Sequence, residues 1–198
     1  MKTNSVRKIT GSAILLALIV IFQFIGNYIN IGGASINLSL LPVAIGAILY
    51  GPAVGAFLGF VTGLMVIPGA GAFMAYNPWA TIIICLLKTT LAGLASGFLF
   101  KLFKNKAIIP GIFVCSIIIP IINTGIFTIG CFTIFKELMT TWAGSQEQLI
   151  GFIFLVLIGI NFLIELGVAI FLTPSVILVM RTISKKNNND LFIKEANE

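Results

Sequence analysis

The sequence contains no histidine. Proteolysis inside the membrane that depends on histidine, and haem or zinc sites built on imidazole, are therefore excluded. Charge is scarce: Asp, Glu, Lys and Arg make up 9% of residues, against about 25% in an ordinary soluble domain. No GxxxxGK[ST] loop is present, so the chain cannot hydrolyse a nucleotide through a P-loop by itself. Its three cysteines, Cys85, Cys115 and Cys131, lie in apolar segments without CxxC spacing. They read as small core residues, with no metal site or disulfide framework implied. No Ser–Lys pair or paired intramembrane carboxylates stand out, so neither enzyme activity nor a cofactor is expected. Binding or transport is what remains.

What is present is apolar. Hydrophobic residues account for 59% of the 198 residues, and the mean hydropathy is +1.13. So few charges could not cover a water-soluble surface, so the chain sits in lipid. Its length suits one compact bundle. The N-terminal run from Ile9 to Ile29 follows Lys2, Arg7 and Lys8 but lacks a small-x-small cleavage site, and reads as a retained first membrane helix.

Crossing about 30 Å of hydrocarbon takes about 20 helical residues. The apolar stretch from Ile36 to Pro68 is too long for one crossing, and Tyr50-Gly51-Pro52 breaks it into a hairpin of helix 2 (36–50) and helix 3 (52–68). The loop PGAGAFMAYNP leads to helix 4 (79–101). Helix 5 (107–135) contains Pro110 and Pro120, and the loop KELMTTWAGSQEQ precedes helix 6 (149–181). The expectation is an all-α bundle of six transmembrane helices over residues 1–182, followed by a polar, disordered tail at 183–198.

Twelve Lys and Arg against six Asp and Glu give a net charge of +6. In six helices, Lys2, Arg7, Lys8, Lys101, Lys104, Lys106, Arg181, Lys185, Lys186 and Lys194 all fall on one face. The other holds Lys136 beside Glu137 and Glu147. The positive-inside rule then places both termini in the cytoplasm.

Two ionisable residues lie well inside predicted spans, Lys88 and Glu165. Such charges line a cavity or pair with each other. Lys88 lies roughly 13 Å below the outer end of its helix at 1.5 Å per residue. Asn123 and Asn161 count to a similar depth, with Glu165 one turn below Asn161 on the same face. One reading is a polar pocket opening outward, floored by Lys88, Asn123, Asn161 and Glu165; the other is a structural Lys88–Glu165 ion pair with asparagines bridging helices. Tyr76, Asn77 and Trp79 in the 3–4 loop, and Asn30, Ser35 and Asn37 around the 1–2 loop, could border the pocket, although Tyr76 and Trp79 equally suit interfacial anchoring. The glycines at 32–33 and 69–71 would allow a lid.

Small residues recur four apart: Ala13 and Ala17, Gly93 and Gly97, and the ladder Gly51, Gly55, Gly59 and Gly63. Such strips let helices approach closely. The ladder is expected to pack helix 3 inside its own bundle, with Gly51 and Pro52 turning the hairpin.

With LPVAIGAILYGPAVGAFLGFVTGL across helices 2 and 3 and the AxxxA of Ala13 and Ala17, residues 9–180 resemble the substrate-binding S components of energy-coupling factor (ECF) vitamin transporters. The resemblance implies a bacterial plasma-membrane subunit that binds one micronutrient with high affinity in an outward-facing pocket. It implies partners too: a transmembrane coupling subunit, docked on Ala13 and Ala17, and two ATP-binding-cassette ATPases that hydrolyse the ATP. By position, Lys88, Asn123 and Asn161 fall in the ligand region. The metal-transporting branch uses an N-terminal histidine, absent here. Lys88 would suit a carboxylate, favouring pantothenate or folate among the family's ligands. Two other readings stay open: a self-sufficient carrier driven by an ion gradient through Glu165, and a structural protein that oligomerises through its glycine faces.

Overall fold

The computed structural model describes residues 2–28, 30–31, 34–35, 37–103 and 107–186. The paired glycines at 32–33, Lys104, Lys106 and the tail from residue 187 lie outside them.

Helix α1 runs Lys2–Tyr28. Two two-residue strands follow, β1 (Asn30–Ile31) and β2 (Ala34–Ser35), paired antiparallel with Asn30 opposite Ser35. Then come α2 (Leu40–Tyr50), α3 (Pro52–Val66) with a short 3₁₀ turn at Ile67–Gly69, α4 (Gly71–Tyr76) and α5 (Pro78–Phe103). The chain continues through α6 (Ile108–Thr133), α7 (Lys136–Ala143), a single turn α8 (Leu149–Gly151), a π-helical segment at Phe152–Gly159, and α9 (Ile160–Lys186).

Among the described residues, five helices are long and apolar enough to cross a membrane, where six crossings were expected. The exception is α2, which has 11 residues and starts at Leu40 rather than near Ile36. At 1.5 Å per residue it covers about 16 Å. Two expected loops contain helices, α4 and α7, and the last expected helix is interrupted by the π segment.

The α2–α3 hairpin turns at Gly51, whose φ of +96° lies where side chains are strained, and Pro52 begins α3 where its missing N–H costs nothing. The glycine ladder then lets α3 lie directly on α5. A Cβ at Gly55 would come 2.5 Å from the Gly93 carbonyl oxygen, and one at Gly59 would strike the Thr89 carbonyl. The ladder packs helices within one chain.

The core is layered. One layer joins Phe73, Ile84, Cys131, Phe135, Met139 and Ile153 across α4 to the π segment. A middle layer joins Ile19, Val43, Leu58, Ala92 and Ile119. A third gathers Ile48, Phe100, Ile112, Cys115 and Met180, beside the hairpin turns. Tyr50, at that end, lies against Gly11 of α1. In the first layer Phe73 meets Phe127, Phe135 and Trp142 edge to face, with centroids 5.0–5.6 Å apart, so the small α4 is seated by aromatic contacts.

Candidate functional site

The polar centre of the bundle is organised by Glu165. It follows Asn161 by four residues on α9, so both face the same way, and each is 9% exposed. Glu165 Oε1 accepts the backbone N–H of Asn37 at 3.3 Å, and Oε2 accepts Asn123 Nδ2 of α6 at 3.3 Å. Ser39 Oγ donates to Asn37 Oδ1 and also stands 2.9 Å from Gln23 Oε1 of α1. A chain of polar contacts thus runs from α1 through the segment before α2 to α9 and α6. All its members are buried.

The physical reason lies in the short α2. The chain at Asn37 is not helical, so its backbone N–H lacks an intrahelical partner, and an unpaired N–H in an apolar interior costs several kcal/mol. Glu165 supplies the acceptor. Among the described residues, Asn37 Nδ2 and Asn123 Oδ1 of this group are buried without a hydrogen-bond partner.

Lys88 of α5 is half-buried, and its Nζ stands 4.9 Å from the ring centroid of Phe127. Among the described residues no ion pair joins it to Glu165, whose oxygens receive Asn37 and Asn123 instead. The structural ion pair that counting along the helices allowed is therefore not formed. No group of three or more metal-ligating side chains occurs among the described residues.

The other expected residues separate from this cluster. Tyr76 is exposed and donates to Glu137 Oε2 at 2.9 Å, tying α4 to α7. Asn77 Oδ1 accepts the Ala80 N–H at 3.1 Å and caps α5. Trp79, 77% exposed, lies on the outer surface and suits interfacial anchoring. Asn30 and Ser35 are paired through their backbones. Sequence reasoning missed Gln23 and Ser39. The available signal was a lone glutamine in the apolar run LIVIFQFIG, because an amide that deep in a span needs a polar neighbour.

Beside Glu165 a narrow cleft runs between α2, α6 and α9, lined by Asn37, Leu41, Ala44, Ser116, Pro120 and Ala169 among others. Its free volume is about 20 Å³, room for about one water.

A buried polar cluster in an apolar helical bundle fits a membrane binding protein, and comparison with known families is specific on this point. The family model for the ECF transporter, substrate-specific component, matches residues 7–177. The chain belongs to that family. No curated protein and no solved structure matches it. A substrate-specific component is a membrane subunit that binds the substrate, which agrees with the absence of a P-loop in this chain. The match spans the helices that carry the cluster, from Gln23 on α1 to Glu165 on α9.

Proposed function

We propose that this substrate-specific component is the high-affinity binding subunit for uptake of a water-soluble vitamin or related micronutrient. The observation that carries this reading is the buried cluster around Glu165, with two polar atoms left for a ligand and Lys88 half-buried nearby. A soluble micronutrient must exchange its hydration for protein hydrogen bonds, and Asn37, Asn123, Asn161 and Glu165 are buried residues that supply donors and acceptors. Lys88, not neutralised by an ion pair, suits a ligand carboxylate, which favours pantothenate or folate.

In this reading the chain is held in the plasma membrane with both termini cytoplasmic, and α2 with the segment before it makes the sixth crossing. ATP is used by two ATP-binding-cassette ATPases and reaches this subunit through a transmembrane coupling protein. Ala13 and Ala17, exposed on α1, form the docking face.

Native mass spectrometry and thermal-shift measurement of the purified chain against water-soluble vitamins test the proposal. One vitamin bound at submicromolar concentration is the expected result. Binding of none would overturn it. A carrier driven by an ion gradient is the second reading, favoured by a buried carboxylate without an ion pair among the described residues. Uptake that persists without the coupling protein and ATPases, and collapses with the gradient, would establish that alternative.

A further inference from the structure

Resting on the binding-subunit reading, a more specific chemistry follows from how Glu165 is used. An ionised carboxylate only accepts hydrogen bonds. One of its oxygens takes the backbone N–H of Asn37, and the other takes the side-chain N–H of Asn123. While Glu165 is ionised, Asn123 cannot turn its amide around: its nitrogen must face Glu165, and its oxygen is the free end. The oxygen of Asn37 is likewise engaged, by Ser39, which leaves its nitrogen free. Among the described residues Asn123 Oδ1 and Asn37 Nδ2 are buried without a hydrogen-bond partner, and both residues are at least 96% buried (exposures of 3% and 4%). One is an acceptor and the other a donor.

We infer that Asn37 and Asn123 read an uncharged group on the ligand that carries both an N–H and a C=O, such as an amide, lactam or ureido group, and that Glu165 is the positioning residue that fixes which end of Asn123 faces it. A hydrogen-bonding site of this kind rejects analogues lacking the donor, because the buried acceptor is then left unpaired.

The role of Glu165 makes an unusual demand on one isosteric variant. In Glu165→Gln the backbone N–H of Asn37 cannot be reversed, so the new side chain keeps its oxygen there. Its NH₂ then faces Asn123, which must turn its own oxygen toward it. Asn123 would now offer the ligand a donor in place of an acceptor.

The full-length chain in detergent is screened against pantothenate, biotin, folate and riboflavin, which carry N–H and C=O groups, and against pyridoxine, nicotinate and lipoate, which lack the pairing. Binding of a member of the first group is expected. Replacing its N–H by oxygen should weaken binding to the wild type tenfold or more. In Glu165→Gln the same replacement should cost less than threefold, or improve binding, a reversal that a purely structural role for Glu165 would not produce. If that variant does not fold, Asn123→Ala supplies the same test, since it should bind the N–H and oxygen forms alike.

Binding confined to pyridoxine, nicotinate or lipoate overturns the inference and leaves the binding-subunit reading standing. So does a wild type indifferent to the oxygen replacement, or a Glu165→Gln chain that keeps the wild-type preference. Binding of none of the seven, nor of any other water-soluble vitamin, overturns the binding-subunit reading itself.

Discussion

Glu165 of α9 accepts a hydrogen bond from the backbone of Asn37, 128 residues earlier in the chain. This contact fixes a non-helical stretch of backbone at the depth where α2 is too short to continue. Replacing Glu165 with leucine removes the acceptor for Asn37 and for Asn123 together. Each buried group left unpaired costs about 1–3 kcal/mol. Glu165→Leu is therefore expected to melt well below the wild type in detergent, and to lose substrate binding even at temperatures where it remains folded. Unchanged melting would show that the contact does not hold the segment in place.

The α3–α5 contact makes a prediction of a different kind. Gly59 faces backbone, which cannot rotate away as a side chain can, so Gly59→Leu must separate the two helices. Overpacking of this kind typically costs about 1–3 kcal/mol and more where backbone must shift. Gly125 of α6 meets nothing within 4 Å of an added Cβ. Gly125→Leu should express and melt like the wild type, whereas Gly59→Leu should express poorly or melt early. Equal behaviour of the two variants would contradict the packing role of the ladder.

The contrast between these two sites shows what could be read from the chain beforehand. Apolar runs bounded by lysines and by Gly51-Pro52 were enough to place the long helices, because lipid forces backbone groups to pair within each segment. The same composition misled at Leu38: it is apolar enough for a helix, yet the structure begins α2 only at Leu40. Helices α4 and α7 are short, and α4 is seated by Phe73, a tertiary contact with no local signature. Counting residues gives depth along a helix but not which neighbour a side chain meets. Lys88 and Glu165 could therefore be read as two parts of a pocket or as a structural pair, while Asn123 and Glu165 could be grouped but not seen to bond.

Lys88 offers a direct measure of ligand charge. With Phe127 beside it and no ion pair to lose, Lys88→Met should change melting only slightly, since an exposed or partly exposed cation–π contact is worth about 0.5–1 kcal/mol. Affinity for a carboxylate vitamin should fall tenfold or more, while affinity for its uncharged amide derivative stays within about twofold of the wild type. A uniform loss for both forms would remove the ligand carboxylate from Lys88.

Tyr76 and Glu137 tie the two short helices over one end of the bundle. The hydrogen bond to Glu137 raises the Tyr76 hydroxyl above its ordinary value of 10.0, with burial and the Glu137 charge adding to the effect. A folded-state value raised above the unfolded one means that the tie is complete below pH 10 and is lost as pH rises through the raised value. Ultraviolet titration of wild type against Tyr76→Phe should assign to Tyr76 a phenol ionising above 10.0. Glu137→Gln should bring it down; a Tyr76 titration unmoved by Glu137→Gln would dissociate the two residues.

Ala13 and Ala17 are exposed on α1, four residues apart and thus on one face, while Leu15 and Ile19 point into the core. Bulk added at the alanines has no core to disturb. Ala13→Trp with Ala17→Trp should leave melting and substrate binding as in the wild type. Co-purification with the coupling protein and ATPases should be lost, because small residues permit the close helix approach on which docking would depend. The effect should appear in ATP-driven uptake but not in equilibrium binding. A double variant that still assembles and transports would move the docking face elsewhere on the bundle. A double variant that no longer binds substrate would show that α1 serves the ligand site directly, through its link to the polar cluster at Gln23.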